Sequence, residues 1–252
     1  MADSAWAAST ASAFPADSEI PRHAAFVRVT HWITTLCFFA LLLSGFEIVI
    51  SHPRFYWGET GNVLTKPLFQ IPIPASRATV PTGYKYVLPD QNGWSRALHF
   101  QAAWALILAG FVYVVFGSAG HFRNNLLPGK ADLSGRALGR IVAGHLRFQR
   151  LDEGQDRSYN VLQKLTYLMV IFVLFPLEIW TGLAMSPGFV SAVPATVSLL
   201  GGQQSARTIH FFVSLALVLF LVVHIVMVCR AGFTNRVRAM ITGRVAEHRE
   251  KL

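Results

Sequence analysis

The chain has 252 residues, of which 53% are hydrophobic and only 14% are charged, and its formal net charge is +9. This composition is too apolar for an ordinary water-soluble domain and favours a membrane protein. We interpret the positive charge as a signal for membrane orientation and for contact with the membrane surface, and it gives no support for nucleic-acid binding.

The first 21 residues, MADSAWAASTASAFPADSEIP, lack a basic start followed by an apolar core. This pattern argues against a cleaved signal peptide, and we expect a disordered cytoplasmic tail. Both cysteines, Cys37 and Cys229, lie in apolar stretches, and no CxxCH motif occurs. Covalent attachment of a c-type haem is therefore excluded.

Four apolar stretches are long enough to cross a hydrocarbon layer of roughly 30 Å as helices, and they cover residues 26–50, 98–117, 161–185 and 208–229. Sixteen of the 22 lysines and arginines lie before or at the start of the first span, between spans two and three or at the start of span three, or after the last one. The predicted fold is an all-α transmembrane four-helix bundle over residues 22–233 with both termini in the cytoplasm, followed by a basic cytoplasmic tail, 234–252.

The connecting segments carry weaker signals. The first outer loop holds six of the twelve prolines, and we expect it to fold onto a partner or onto the end of the bundle. Residues 131–150 predict an amphipathic helix on the cytoplasmic leaflet, with a solvated connecting helix as the alternative.

In the third span Pro176 predicts a bend. For Glu47 and Glu178 we favour packing with an arginine partner over proton transfer.

Three of the four spans begin with an arginine, two further residues, a histidine and an aromatic residue. The copies are RVTHW (Arg28, His31), RALHF (Arg96, His99) and RTIHF (Arg207, His210), and a fourth histidine, His224, lies near the other end of the last span. Fourteen positions separate His210 from His224, so these residues lie about 21 Å apart along the axis and on nearly the same helix face. The predicted orientation places His99 and His210 near the outer interface, and His31 and His224 near the inner one.

Two neutral imidazoles from facing helices are what a six-coordinate haem iron requires, and ionisable residues inside membrane spans are usually functional. The sequence therefore predicts two b-type haems. His99 and His210 are the expected ligands of the outer haem, and His31 and His224 those of the inner haem.

The neighbouring residues fit the same interpretation. Arg28, Arg96 and Arg207 each lie one turn from a histidine and are candidates to pair with haem propionates. Gly45 shares the helix face of His31 at the depth of the outer pair, and Gly110 lies near the inner pair, so each would leave room for a macrocycle.

A simpler interpretation remains open. The arginines would only mark the interfaces, the glycines would aid helix packing, and the histidines would form hydrogen bonds across the bundle. Four histidines that pair by depth favour haem binding. His52, at the outer end of the first span, is an alternative ligand of the outer haem, although we favour a role in the loop.

This placement of histidines resembles the bacterial four-helix di-haem cytochrome b subunits of membrane-bound formate dehydrogenases, nickel-iron hydrogenases and thiosulfate-reductase-like enzymes, and the related cytochrome b561 proteins. The resemblance covers roughly residues 22–233 and includes YNVLQKLTYL at the start of the third span. It implies the same two ligand pairs. It also implies a quinone, either menaquinone or ubiquinone, near the inner haem.

The resemblance places the quinone beside His224 and Asn160, with Gln163 and Lys164 nearby. The residues alone allow another explanation, because Asn160 and Gln163 have the spacing of a capping box and Lys164 could extend towards the interface.

The leading hypothesis is an electron-transfer subunit of the bacterial inner membrane that connects the quinone pool with a periplasmic redox partner. The resemblance suggests a molybdenum enzyme or a hydrogenase as partner, linked directly or through an iron-sulfur subunit. The long, proline-rich first loop favours a sulfite-oxidase-like molybdoprotein over formate dehydrogenase. Two alternatives are a stand-alone membrane haem oxidoreductase that passes electrons from superoxide to quinone, and a haem-free transporter lined by histidines.

Overall fold

The computed structural model of the chain describes residues 23–62, 64–72, 91–128 and 161–243. Its described part is helical apart from one small antiparallel sheet. The helices are α1 (Ala25–Ser51), α2 (Gln91–Ser118), α3 (Val161–Met169), α4 (Phe175–Ala184), α5 (Pro187–Ala192), α6 (Ala195–Ser198), α7 (Gln203–Arg230) and α8 (Phe233–Thr242), and the strands are β1 (Arg54–Phe55) and β2 (Phe69–Gln70). The segments 1–21 and 131–150, for which a tail and an amphipathic helix are predicted, lie outside the described residues.

Four helical segments are long and apolar enough to cross a membrane: Ala25–Ser51, Gly93–Ser118, Gln163–Ala184 and Gln203–Arg230. Each matches a predicted span, although the second and fourth begin about a turn earlier than hydropathy indicates. Their first turns contain polar residues such as Gln203 and Ser205, which continue a helix although they do not extend its apolar stretch. Large apolar side chains remain exposed along these helices, including Leu36 and Leu219. Lipid accommodates such surfaces, whereas water would not.

The third span is not a continuous α-helix. A π-helical stretch, Val170–Leu174, separates α3 from α4, and Pro176 lies in the first turn of α4. Proline has no backbone N–H group. It is tolerated in the first turn of a helix, because N–H groups in that turn have no partner within the same helix. The predicted interruption of this span thus takes the form of a π-helical insertion just before the proline.

The spans pack most closely as two helix pairs, α1 with α2 and α4 with α7. Between the second pair, Val213 and Leu217 of α7 form a buried cluster with Val170 of the π-helical stretch, and Phe38 of α1 packs against that cluster. Apolar packing therefore links the two pairs near the middle of the bundle.

The described part of the first outer loop folds back onto the start of α7. The Gly58 carbonyl accepts hydrogen bonds from the backbone N–H groups of Gln204 (3.0 Å) and Ser205 (3.2 Å), and the Ser205 hydroxyl accepts one from the Gly58 N–H (2.7 Å). The Thr208 hydroxyl donates to the Tyr56 carbonyl at 2.7 Å. The loop thereby satisfies N–H groups that a helix leaves unpaired in its first turn, and it covers the end of the bundle as expected.

Aromatic rings and Arg207 fasten the same loop. Phe55 stacks on Phe69 of the paired strand at 4.7 Å between centroids and lies 4.5 Å from the ring of Phe211 in α7. The Arg207 guanidinium lies over Phe55, 4.9 Å from the ring centroid, and donates to the carbonyls of Arg54 and His52.

At the opposite end of the bundle, α8 returns to the start of α1. The Trp32 indole N–H donates to the Met240 carbonyl (3.2 Å), and Arg28 donates to the Ile241 carbonyl (2.9 Å). Residues from 234 onwards were expected to form a basic tail, yet the segment up to Thr242 is helical and contacts the bundle.

Candidate cofactor-binding site

The two histidines predicted at the outer side of the bundle face each other. His99 on α2 and His210 on α7 are half-buried, and their ring centroids are 6.2 Å apart. In each RxxH motif the histidine lies one helical turn after the arginine, so its ring lies one turn further along the helix. The structure therefore brings these two predicted ligands together.

Each ring of this outer pair contacts one hydroxyl group, which comes from a further helix: α1 in the case of His99 and α4 in the case of His210. Ser44 Oγ on α1 lies 3.0 Å from Nδ1 of His99, and Thr181 Oγ1 on α4 lies 3.0 Å from Nδ1 of His210. Both hydroxyl groups are buried. Neither residue was predicted from the sequence.

A glycine follows each of these hydroxyl residues and lies against the same ring. A Cβ atom built on Gly45 would lie 3.5 Å from Cε1 of His99, and one built on Gly182 would lie 3.5 Å from Cε1 of His210. Gly45 was expected at this depth, whereas Gly182 was missed. The signal available in the sequence was the dipeptide Ser-Gly in span one and Thr-Gly in span three.

The two histidines predicted at the inner side also face each other. The ring centroids of His31 on α1 and His224 on α7 are 6.4 Å apart. Phe220 stacks on His224 at 5.6 Å, and Trp32 contacts His31 edge-on at 5.4 Å. This pair therefore has aromatic surroundings, in contrast to the hydroxyl groups beside the outer pair.

The spacing within both pairs fits one metal ion between two imidazole nitrogens. A ligating nitrogen lies about 2 Å from such a metal and its ring centroid about 1 Å further out, so two rings on opposite sides have centroids about 6 Å apart. A direct hydrogen bond between the rings would draw the centroids to about 5 Å. Haem iron needs only two protein ligands of this kind, because the porphyrin supplies four nitrogens.

Glu178 is a further polar group at the outer pair. Its Oε1 lies 3.2 Å from Nε2 of His210 and accepts a hydrogen bond from the Ser214 hydroxyl at 2.9 Å, whereas its Oε2 is buried with no hydrogen-bond partner. The expected arginine partner is therefore wrong for Glu178, which turns towards the histidine on the neighbouring helix. Coordination of a metal through Nε2 would require this carboxyl group to release the ring.

Two of the three predicted propionate partners already bind backbone carbonyls. Arg207 binds the outer loop and Arg28 binds α8, while Arg96 is exposed near the start of α2. A guanidinium has five N–H donors, so Arg28 and Arg207 retain donors for an anionic group. The propionate role of all three arginines stays a prediction.

The remaining predicted residues are less closely tied to the histidine pairs. A Cβ atom built on Gly110 would meet no other atom within 4 Å, which agrees with open space at this point of α2. Gln163 and Lys164 are half-buried near the start of α3, and Asn160 lies outside the described residues. The quinone site therefore stays a prediction.

Comparison with known proteins identifies the family of the chain. The chain is 29% identical over 227 residues to the putative protein-methionine-sulfoxide reductase subunit YedZ1 of Azospira oryzae, and the alignment covers 88% of this chain and 96% of that protein. The family model of the prokaryotic cytochrome b561 proteins matches residues 22–243. With four spans and two facing histidine pairs, the chain belongs to the prokaryotic cytochrome b561 family, and it is a multi-pass membrane cytochrome of the kind that binds b-type haem.

Proposed function

We propose that the chain binds two b-type haems and transfers electrons between the quinone pool and a redox partner on the outer side of the bacterial inner membrane. The observation that carries this proposal is the presence of two imidazole pairs with nearly equal spacing, 6.2 and 6.4 Å, both completed by α7. One helix thus contributes a ligand near each side of the membrane. Membership of a family that binds b-type haem argues against the haem-free transporter.

The residues of the chain have distinct tasks in this proposal. Each bound haem supplies an iron that gains or loses one electron. His99 and His210 hold one iron, and His31 and His224 hold the other, as neutral ligands that keep each cofactor inside the bundle. The apolar side chains around them exclude water and thereby help to set the potentials.

A quinone would exchange electrons at the inner haem. Gln163 and Lys164 begin the third span, and Tyr167, one turn further on, lies 6.5 Å from the ring of His224. An amide and an ammonium group at this end of the bundle are suitable donors to a quinone carbonyl. Asn160, directly before α3, would complete the site, for either menaquinone or ubiquinone.

The outer partner would be an oxidoreductase that reduces oxidised methionine in proteins. The relative from Azospira oryzae is described as a subunit of such a reductase, which favours a molybdenum oxidoreductase over a hydrogenase or an iron-sulfur link. The outer loop, held by Gly58 and Arg207 to the start of α7, offers a defined surface above the outer pair. Trp57, at the turn of this loop, has 62% of its surface exposed.

Replacement of His224 by leucine tests the proposal. Leucine cannot ligate iron but is tolerated in lipid, so we expect the variant to retain one haem per chain where the unmodified protein has two. Haem quantification and a reduced-minus-oxidised spectrum of the purified protein measure this directly. Loss of both haems in a folded variant, or retention of both, would contradict the pairing of His224 with His31.

A further inference from the structure

We infer that Ser44 and Thr181 are positioning residues that hold the outer histidines with Nε2 available to iron, and that they set the potential of the outer haem apart from that of the inner one. The inference rests on the proposed function, because it concerns how two of the proposed ligands are oriented.

The same arrangement occurs twice on helices that are distant in sequence. Ser44 on α1 and Thr181 on α4 each place a hydroxyl oxygen 3.0 Å from the Nδ1 atom of an outer histidine. The glycine that follows leaves room for the Cε1 edge of the same ring, with a distance of 3.5 Å to a built Cβ in both cases. Two copies with matching distances indicate a shared requirement of the two rings.

The hydrogen bonds of the hydroxyl groups give the direction of the contact with the rings. Ser44 donates to the Ala40 carbonyl at 2.7 Å, and Thr181 donates to the Leu177 carbonyl at 2.8 Å. A hydroxyl group has one hydrogen, so once it is given to the backbone the oxygen can only accept from the ring.

A backbone carbonyl beside His210 leads to the same conclusion. The Glu178 carbonyl lies 3.2 Å from Nδ1 of this ring. A carbonyl oxygen cannot donate, so Nδ1 of His210 must carry the hydrogen, and the accepting Ser44 oxygen requires the same of Nδ1 of His99. The lone pair of each neutral ring is then on Nε2, the nitrogen that would bind a metal. In His210 this nitrogen lies 3.2 Å from Oε1 of Glu178, which would have to move away when the metal binds.

His31 of the inner pair has no equivalent support among the described residues. Its Nδ1 atom is buried without a hydrogen-bond partner. Thr35, one turn further along α1, donates to the backbone carbonyl of His31 at 2.8 Å and thus binds the backbone of this residue. Among the described residues, both outer rings therefore have a hydroxyl contact that His31 lacks.

This difference has a consequence for electron transfer. An imidazole whose Nδ1–H group donates a hydrogen bond is a stronger electron donor to its metal, which favours the ferric state and lowers the reduction potential. The outer haem should accordingly have a lower reduction potential than two histidine ligands without these hydrogen bonds would give. The hydroxyl groups should also hold the two imidazole rings in position before the cofactor binds.

The test uses the full-length protein, purified with its haems, and an optical redox titration that resolves two components. Thr181→Val keeps the shape of the side chain and removes the hydroxyl group, while Thr181→Ser keeps the hydroxyl group. Ser44→Ala provides an independent variant at the other ring. Thr35→Val is the matched control, because it removes a half-buried hydroxyl group beside the inner pair whose hydrogen bond goes to the His31 carbonyl and not to an imidazole nitrogen.

We expect Thr181→Val and Ser44→Ala each to raise the potential of the same component and to leave the other unchanged. Retention of that haem should weaken roughly 10- to 100-fold, as for other residues that support metal-bound histidines. Thr181→Ser and Thr35→Val should match the unmodified protein. The inference is overturned if neither potential moves, if both move together, or if Thr181→Ser behaves like Thr181→Val. Fewer than two haems in the unmodified protein would instead refute the proposed function itself.

Discussion

At the level of single residues, local contacts distinguish His52 from the histidines that face each other. His52, the alternative ligand considered from the sequence, directly follows α1, where its backbone N–H group is bound to the carbonyls of Ile48 and Val49. Its carbonyl accepts a hydrogen bond from Arg207. His52 thus serves the connection between the outer loop and α7, whereas His99 and His210 face each other.

We therefore predict that His52→Ala retains both haems, because the backbone interactions of this residue do not depend on the imidazole. His99→Ala should lose the outer haem. The haem-to-protein ratio of the two purified variants provides the measurement. Loss of one haem from His52→Ala, with His99→Ala unaffected, would assign the ligand role to His52.

At this scale the sequence predicted the four histidines but missed their hydroxyl partners. The histidines could be predicted because ionisable residues are conspicuous in apolar spans and because the interval of fourteen residues fixes both the depth and the helix face. Ser44 and Thr181 could not be predicted, because a buried hydroxyl group usually forms its hydrogen bond within its own helix. Thr30 and Thr35 do this as well. Only the packing of α1 on α2 and of α4 on α7 distinguishes the residues that also contact a ring.

At the scale of the elements, the start of α7 depends on the outer loop. Gly202 precedes this helix with φ 116° and ψ 168°, a conformation that is essentially restricted to glycine. A Cβ atom at this position would lie 2.5 Å from the carbonyl carbon and oxygen of Gly58. The loop and the helix can approach each other this closely only because Gly202 lacks a side chain, whereas a Cβ atom built on Gly58 would meet no other atom within 4 Å.

We predict that Gly202→Ala destabilises the protein by at least about 1–3 kcal/mol, the usual cost of a strained backbone conformation, and loosens the loop. Gly188→Ala is the matched control, since a Cβ atom there would meet no other atom within 4 Å. Thermal unfolding in detergent and limited proteolysis of the loop would measure the effect. Equal unfolding temperatures for the two variants would show that the contact between Gly202 and Gly58 is unimportant.

The elements were predicted well where hydropathy is the main determinant and less well elsewhere. All four spans were found, and Pro176 correctly indicated an interruption of the third one. The sequence predicted that the loop folds onto a partner or onto the end of the bundle, but it did not predict the contact through Gly58 or the return of α8 to α1. Both contacts rely on backbone carbonyls that accept hydrogen bonds from groups distant in sequence. Such contacts leave no periodic pattern.

At the scale of the whole molecule, the distribution of lysines and arginines predicts that the outer loop and α8 lie on opposite sides of the membrane. The structure supplies exposed positions at both ends for a test, namely Trp57 in the loop and Asn235 in α8. Both residues lie outside the four membrane-spanning segments.

We predict that, in a variant without Cys37 and Cys229, a membrane-impermeant thiol reagent labels Trp57→Cys in intact cells. It should label Asn235→Cys only after the membrane has been permeabilised. Labelling of Asn235→Cys alone in intact cells would reverse the orientation and would place the redox partner on the cytoplasmic side.

The participation of α7 in both histidine pairs also has a consequence for assembly. His210 and His224 belong to the fourth of the membrane-spanning segments found among the described residues, while their partners lie on the first two. During synthesis, neither pair can form until the ribosome has produced α7. If each pair holds a haem as proposed, a nascent chain that stops short of α7 would offer only single, unmatched ligands, and neither haem would have both of its ligands until α7 has been translated.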